Sequence, residues 1–281
     1  MKRKLSPGIL LVAIVVSLKA ALLASGATYY VDPTHGTMTN PGTASSPWST
    51  LQAVFEAKKQ FAAGDVINLR SGYHGAPRVS GHPVGEVTIQ AESGEAPLLK
   101  RLTFYNASQW RISGLTVSPS VAGVIDASAI ISVGALCHHI AIQKCHIYST
   151  PDIDEWTVTD WQTKAATGFA SYAPHTIFTD NTLKNVSFGM VIIQGAINSE
   201  VSRNTLTNFS CDGIRGLADN SKYEYNTVLN SYTFDNNHDD GFQCWSGGIN
   251  GIPVGTSVIK NVILRGNIFI SCTDPDQPNK G

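Results

Sequence analysis

Two short stretches hold the side chains best suited to chemistry: "CDGIRG", Cys211 to Gly216, and "NNHDDGFQCW", Asn236 to Trp245. Aligned on Gly213 and Gly241, they set Asp212 against Asp240 and Arg215 against Gln243, with His238 and Asp239 just before the second aspartate. Carboxylates stacked that closely repel, so at neutral pH they call for a cation, a shared proton or a substrate. A hard cation such as Ca²⁺ fits such a group, and so do the two acid/base carboxylates of a glycosidase. Asp and Asn also populate strand-to-strand turns for backbone reasons alone. Arg215 is suited to clamping a carboxylate through paired N–H donors, and its high pKa argues against a role as base. His238 titrates near neutrality and makes a better proton acceptor, although a lone His beside two Asp also serves as a turn residue. Trp245 offers a ring face to a sugar or a cover for the side of the fold.

The alignment of these stretches follows from a repeat. "NTLKN" at Asn181, "NTLTN" at Asn204 and "NTVLN" at Asn226 recur at intervals of 23 and 22, each with a second Asn four residues on: Asn185, Asn208 and Asn230. Weaker copies centre on Gly114, Cys145 and Asn267. With the short strands "DVINLR", "VTIQAE", "WRISGLTV" and "HIAIQKCHIY", this is the signature of an all-β, single-domain, right-handed parallel β-helix. Stacked about 4.8 Å apart, aligned Asn side chains can hydrogen-bond from coil to coil, so those Asn residues belong to the scaffold. In this register Phe188 and Val191 stand in the coil before Asp212 and Arg215, and about six extra residues precede Asp240.

Before the first coil, "PWSTLQAVFEAKKQFAAGD" carries Ser49 and Gln52 at capping-box spacing, with Leu51, Val54, Phe55 and Phe61 on one helical face. That helix is expected to cover the open end of the β-helix. "DIDEWTVTDWQTK", Asp152 to Lys164, reads as an inserted loop that walls a cleft. No comparable cap closes the C-terminal end, so the chain is expected to be a fragment or to lack further coils. The expected organisation is a signal peptide over 1–27, an N-terminal strand and capping helix over 28–63, and the β-helix over 64–281.

The signal peptide is read from Lys2, Arg3 and Lys4, the apolar run after them, and Ser25 and Ala27 at the −3 and −1 positions of a cut. Lys19 interrupts that run, leaving it too short to span a bilayer. The mature chain is therefore expected in the periplasm or outside the cell, as a monomer with no stable membrane insertion. A formal charge of −1 argues against bulk capture of nucleic acid. Five cysteines, an odd number with no zinc-ligand spacing, read as packing residues rather than a disulfide framework. Sequons at Asn106, Asn185 and Asn208 matter only in a eukaryotic host.

The opening "YYVDPTHGTMTNPGTASSPWSTLQAVFEA", followed by "GDVINLRSGYH", resembles the start of many secreted right-handed β-helix proteins, including polysaccharide lyase family 9. "CDGIRG" followed by "NNHDDGFQCW" is similar to the paired segments that supply the calcium-binding aspartates of family 9 pectate lyases. The resemblance implies a pectate-lyase-like fold, Ca²⁺ as cofactor and Asp212, Asp239 and Asp240 as its ligands. Gln243 departs from that pattern, since the family has a further Asp there. The Lys-Leu-Gly-Gly-like context of the family's catalytic Lys is absent, and Lys260 and Lys280 lack it. The resulting expectation is a secreted lyase cleaving an acidic, uronic-acid polysaccharide by calcium-assisted β-elimination. Arg215 and His238 would serve catalysis, and Gln243 and Trp245 substrate binding. A polygalacturonase-like hydrolase using paired aspartates, a uronan C5-epimerase and a non-catalytic glycan-binding β-helix are the alternatives.

Overall fold

The computed structural model describes residues 26–123, 125–234, 239–246, 255 and 258–273. Nearly all of the expected signal peptide, and His238, lie outside the described residues. The chain winds as a parallel β-helix with three faces. The first face includes Val66–Leu69, Val87–Ala91, His138–Gln143, Thr176–Thr179, Glu200–Ser202, Lys222–Glu224 and Ile263–Arg265. The second runs from Gly72–Tyr73 through His146–Tyr148, Thr182–Val186, Thr205–Phe209 and Thr227–Ser231 to Ile268–Ile270. The third includes Ile131–Val133, Phe169–Ser171, Met190–Ile192, Ile214–Gly216 and Phe242–Gln243. The long strand Leu102–Ser113 bends from the third face into the first and joins their ladders. Thr28–Val31 pairs with Val66–Leu69, so the N-terminal strand adds a rung to the first face.

The 23- and 22-residue spacing appears directly as the pairing Thr182↔Thr205↔Thr227. One residue earlier, Asn181, Asn204 and Asn226 are buried and stacked. The Oδ1 of Asn204 accepts from both the backbone N and the Nδ2 of Asn181 at 3.0 Å, and Asn226 and Asn267 repeat this for the coils before them. Each Nδ2 also donates to a backbone carbonyl: Ile142, Phe178 and Val201 in turn. These bonds satisfy amides that the sharp turn between the first and second faces removes from the sheet. The residue before each Asn is left-handed: Asp180, Arg203 and Tyr225 have φ of 59, 56 and 58°. Such a backbone costs non-glycine residues roughly 1–2 kcal/mol each, which the ladder must offset. The weaker copies align one residue away from Gly114: Leu115 and Cys145 share the ladder column, and Gly114 takes the left-handed place. Cys145 is a core residue whose thiol burial pushes up to about 12, which makes it inert packing as expected. Asn208 donates to Asn185 and Asn230 to Asn208 in a second, half-buried ladder. Asn185 is itself buried with its Nδ2 on the Thr150 carbonyl, so that sequon has no accessible amide in the folded chain.

Inward side chains alternate with outward ones and form continuous columns. On the first face these are Ile67, Ile89, Ile112, Ile142, Phe178, Val201 and Tyr223, all fully buried. At about 1.5–3 kcal/mol for each large apolar side chain, these columns dominate stability, while the Asn ladder fixes which residues share a column. The N-terminal helix, Leu51–Glu56, is shorter than the sequence pattern predicts. Thr50 caps it, accepting from Ala53 N, in place of Ser49, and Gln52 bonds Glu56 and the Ala76 amide instead of reaching back. Phe61 lies beyond the helix yet packs edge-on against Tyr29, Trp48 and Trp110 at that end. The segment read as an inserted loop contains a second helix, Val158–Lys164, with a full capping box between Thr157 and Asp160. That Thr-x-x-Asp spacing was a sequence signal left unused. No described helix is long and apolar enough to cross a membrane.

Replacing Asn204 by Ala removes four hydrogen bonds and strands the buried amide of Asn181, so we expect a loss of roughly 2–4 kcal/mol. Asn208→Ala, on the half-buried ladder, should cost about 1 kcal/mol. Urea denaturation of both variants checks the ordering, and equal losses would contradict it.

Candidate functional site

The turn from the second face into the third positions the chemistry. Ile214 pairs with Phe242 and Arg215 with Gln243, which places Asp240 on the coil directly after Asp212. Gly213 N donates to the Asp240 carbonyl at 2.8 Å, and Gly189 N to the Asp212 carbonyl at 2.9 Å. The aligned glycines are required by this close approach: a Cβ on Gly189 would lie 2.3 Å from the Gly213 oxygen, and one on Gly213 would lie 2.8 Å from that of Gly241. Gly168, which the self-alignment of the sequence missed, extends the column to an earlier coil, with the Gly189 oxygen 2.9 Å from its Cβ position.

Asp212 is fully buried, and its cation is internal. Arg215, three residues on in the same coil, donates Nε and Nη2 to Asp212 Oδ2 at 2.7 and 2.5 Å, while the Asp240 amide approaches Oδ1 at 3.4 Å. Burial pushes the Asp212 carboxyl above the ordinary carboxylate range, and Arg215 and the Asp240 amide pull it back only in part. The guanidinium lies between two rings, 4.3 Å from the Phe188 centroid and 4.9 Å from that of Trp245. Such a stack and ion pair fix the orientation of an otherwise floppy side chain. Nη1 has no further partner among the described residues.

The remaining predicted residues gather nearby. Gln243 donates to Asp240 Oδ2 at 2.9 Å, so its amide holds the second aspartate. Asp239 Oδ2 accepts from Thr233 Oγ1 at 2.6 Å, on the lengthened turn. Asp212, Arg215, Asp240, Gln243 and Trp245 thus form one connected set. The sequence did not reveal the Arg215–Asp212 pair or the stacking role of Phe188. A calcium site assembled from Asp212, Asp239 and Asp240 does not match this geometry. Asp212 already neutralises Arg215, and no three acidic, imidazole or thiol groups among the described residues converge on a metal position. Calcium binding by these aspartates would require Arg215 to leave Asp212.

Beside Asp212 a cleft of ≈ 330 Å³ runs along the turn, lined by Trp161, Phe188, Ser210, Cys211 and Phe234 among others. The helix Val158–Lys164 supplies its wall: Trp161 stacks on Tyr232 and Phe234 at 4.8 and 5.4 Å, with Trp156 edge-on at 5.1 Å. The Asp152–Lys164 segment does wall a cleft, as its Trp residues suggested. On the third face, the column leading to Arg215 holds the small side chains Thr103, Ser132, Ala170 and Val191.

No protein-family model matches the chain, and no curated protein matches it in sequence. Among solved structures it is similar to a rhamnogalacturonan lyase at 16% identity, covering 88% of this chain and 73% of that one, with a TM-score of 0.56. A pectate lyase, Pel9A, aligns at 15% identity over 89% of this chain and 78% of the other, with a TM-score of 0.40. A pectin methylesterase variant bound to a hexasaccharide aligns at 13% identity, 84% and 80% coverage and a TM-score of 0.38. The first of these likenesses shows the fold. It is the parallel β-helix that the repeat predicts.

Arg215→Met removes the cation from a fully buried carboxyl, which should cost roughly 2–4 kcal/mol at pH 7. Because Asp212 titrates above its unfolded value when folded, its protonated form is the one the native state favours. Its contribution is full at low pH and is lost as pH rises through the folded pKa, more steeply without Arg215. Denaturation at pH 4 and pH 7 should show the gap between variant and wild type narrowing on acidification. A gap independent of pH would contradict the assignment.

Proposed function

We propose that the protein is a secreted, carbohydrate-active enzyme that cleaves an acidic, uronic-acid polysaccharide by β-elimination at the Asp212–Arg215–Asp240–Gln243 edge. The observation that carries this reading is the Arg215 guanidinium, held between Phe188 and Trp245 and backed by buried Asp212, with Nη1 lacking a partner among the described residues and Phe188 itself lining an aromatic-walled cleft. Aromatic rings suit the apolar faces of sugar rings, and a fixed guanidinium suits the carboxylate of a uronate.

β-Elimination requires that the uronate carboxylate be neutralised, so that the adjacent C5 proton becomes acidic. Arg215, shared with Asp212, offsets part of that charge through hydrogen bonding from Nη1. A base then takes the C5 proton, the electron pair forms the C4–C5 double bond, and the C4–oxygen bond breaks with proton delivery to the leaving oxygen. His238 is proposed as the base, on the strength of its type and its position two residues before Asp240 in the sequence. Gln243 orients Asp240, and Trp245 stacks on sugar as well as on Arg215. Calcium binding is a separate proposal, because Asp212 would have to exchange Arg215 for the metal. The paired-aspartate hydrolase draws less support, since Asp212 is fully buried and committed to Arg215.

The test incubates the purified protein with polygalacturonate, alginate and other uronans, with Ca²⁺ or with chelator, following ultraviolet absorbance and reducing ends. The expected result is an absorbance rise from an unsaturated product on at least one polymer, reduced about 100-fold or more in Arg215→Met. Chelator abolishing the rise would support calcium. Reducing ends without absorbance would replace the lyase by a hydrolase, and turnover of none would refute an enzyme of this kind.

A further inference from the structure

A second groove lies on the first face, away from the cleft at the turn. Its volume is ≈ 420 Å³. One wall is a column of left-handed residues that precede the strands: Gln109, His139, His175, Asn198 and Asn220, with φ from 55 to 64°. The pairings Trp110↔Ile140↔Thr176, Ile177↔Glu200 and Glu200↔Lys222 set these five on successive coils. The other wall is the outward column Arg111, Ala141, Ile177, Glu200 and Lys222 in the same order. Five coils at the strand spacing make a channel about 19 Å long, parallel to the helix axis.

Its chemistry is specific. The His139 and His175 rings stack on each other at 4.5 Å and 17° from coil to coil, beside Ala141 and the 40%-exposed Ile177. Burial, then His175 and His138, lower the pKa of His139 and favour a neutral imidazole there. Imidazoles and carboxamides both donate and accept, which matches hydroxyl groups. The charges nearly cancel. Arg111 closes on Glu86 through two bonds of 2.7 and 2.8 Å and spends Nη1 on Gln143, leaving Glu200 and Lys222, of opposite sign, on adjacent coils. The backbone groups of this face are already paired between coils, so an extended peptide finds no edge to join.

We propose that this groove is a second carbohydrate-binding site, which takes a neutral oligosaccharide lying along the helix axis. Pyranose rings pack against Ile177, and their hydroxyls meet the imidazoles, the carboxamides, Glu200 and Lys222. The site anchors the protein to a neutral chain and does not depend on the lyase chemistry at Arg215.

The test titrates the full chain with cellotetraose, xylotetraose and β-1,4-galactotetraose, using tetragalacturonate as the acidic comparison, and follows the imidazole resonances of His139 and His175. At least one neutral tetraose should shift both. Ile177→Asp and His175→Asn should weaken that binding about tenfold or more. His175→Asn keeps a residue suited to the left-handed backbone. Arg215→Met should leave the neutral-sugar affinity unchanged, so failure here and failure of the lyase reading are read separately. No shift with any neutral tetraose, undiminished binding in both groove variants, or occupation by tetragalacturonate alone would overturn the proposal.

Discussion

Asn181, Asn204 and Asn226 each share a carboxamide with the neighbouring coil, and that buried exchange fixes the axial register of the molecule. A slip of one residue would turn every inward side chain outward. It would also leave the amides of a left-handed turn unpaired in the core. Apolar columns supply most of the free energy, but many pairings would bury them almost as well. The carboxamide ladder is what distinguishes one pairing from the others.

The site inherits this register. With Thr205 held opposite Thr227, the glycine column can form only where Gly189, Gly213 and Gly241 stack, and Asp240 then follows Asp212 by one coil. Two carboxylates in that relation would be unfavourable alone. The chain resolves the conflict with its own residues, pairing Asp212 with Arg215 and Asp240 with Gln243. The ion pair is demanding, since one partner has no access to solvent, and such pairs serve orientation better than stability. A guanidinium pinned by a buried acid and two rings is held in one orientation, at a cost already met in folding.

Much of this was legible in the residues. The Asn-x-x-x-Asn repeat gave the fold and the register of the glycines, and the two Trp of Asp152–Lys164 pointed to the cleft wall. The pairing inside a coil was not legible. Asp212 and Arg215 are three apart, a spacing that in a strand normally sends side chains to opposite faces, and only the turn at Gly213 swings the carboxylate toward the guanidinium. Charge repulsion between the aspartates pointed to a cation and the family resemblance to calcium, while the internal cation Arg215 was not visible in either. The histidine stack was not legible for a related reason: His139 and His175 occupy positions that hold Asn in later coils, so the column is visible only once the first face is aligned.

The account's central claim is that Arg215 receives a uronate carboxylate while Asp212 holds it in place. A crystal structure of the His238→Ala variant soaked with an oligosaccharide of the uronan that the protein binds tests it most directly. The account predicts a carboxylate within hydrogen-bonding distance of Arg215 Nη1, with the Asp212 pair intact and a sugar ring against Trp245. A carboxylate held elsewhere, or a metal ion on Asp212 with Arg215 displaced, would contradict it.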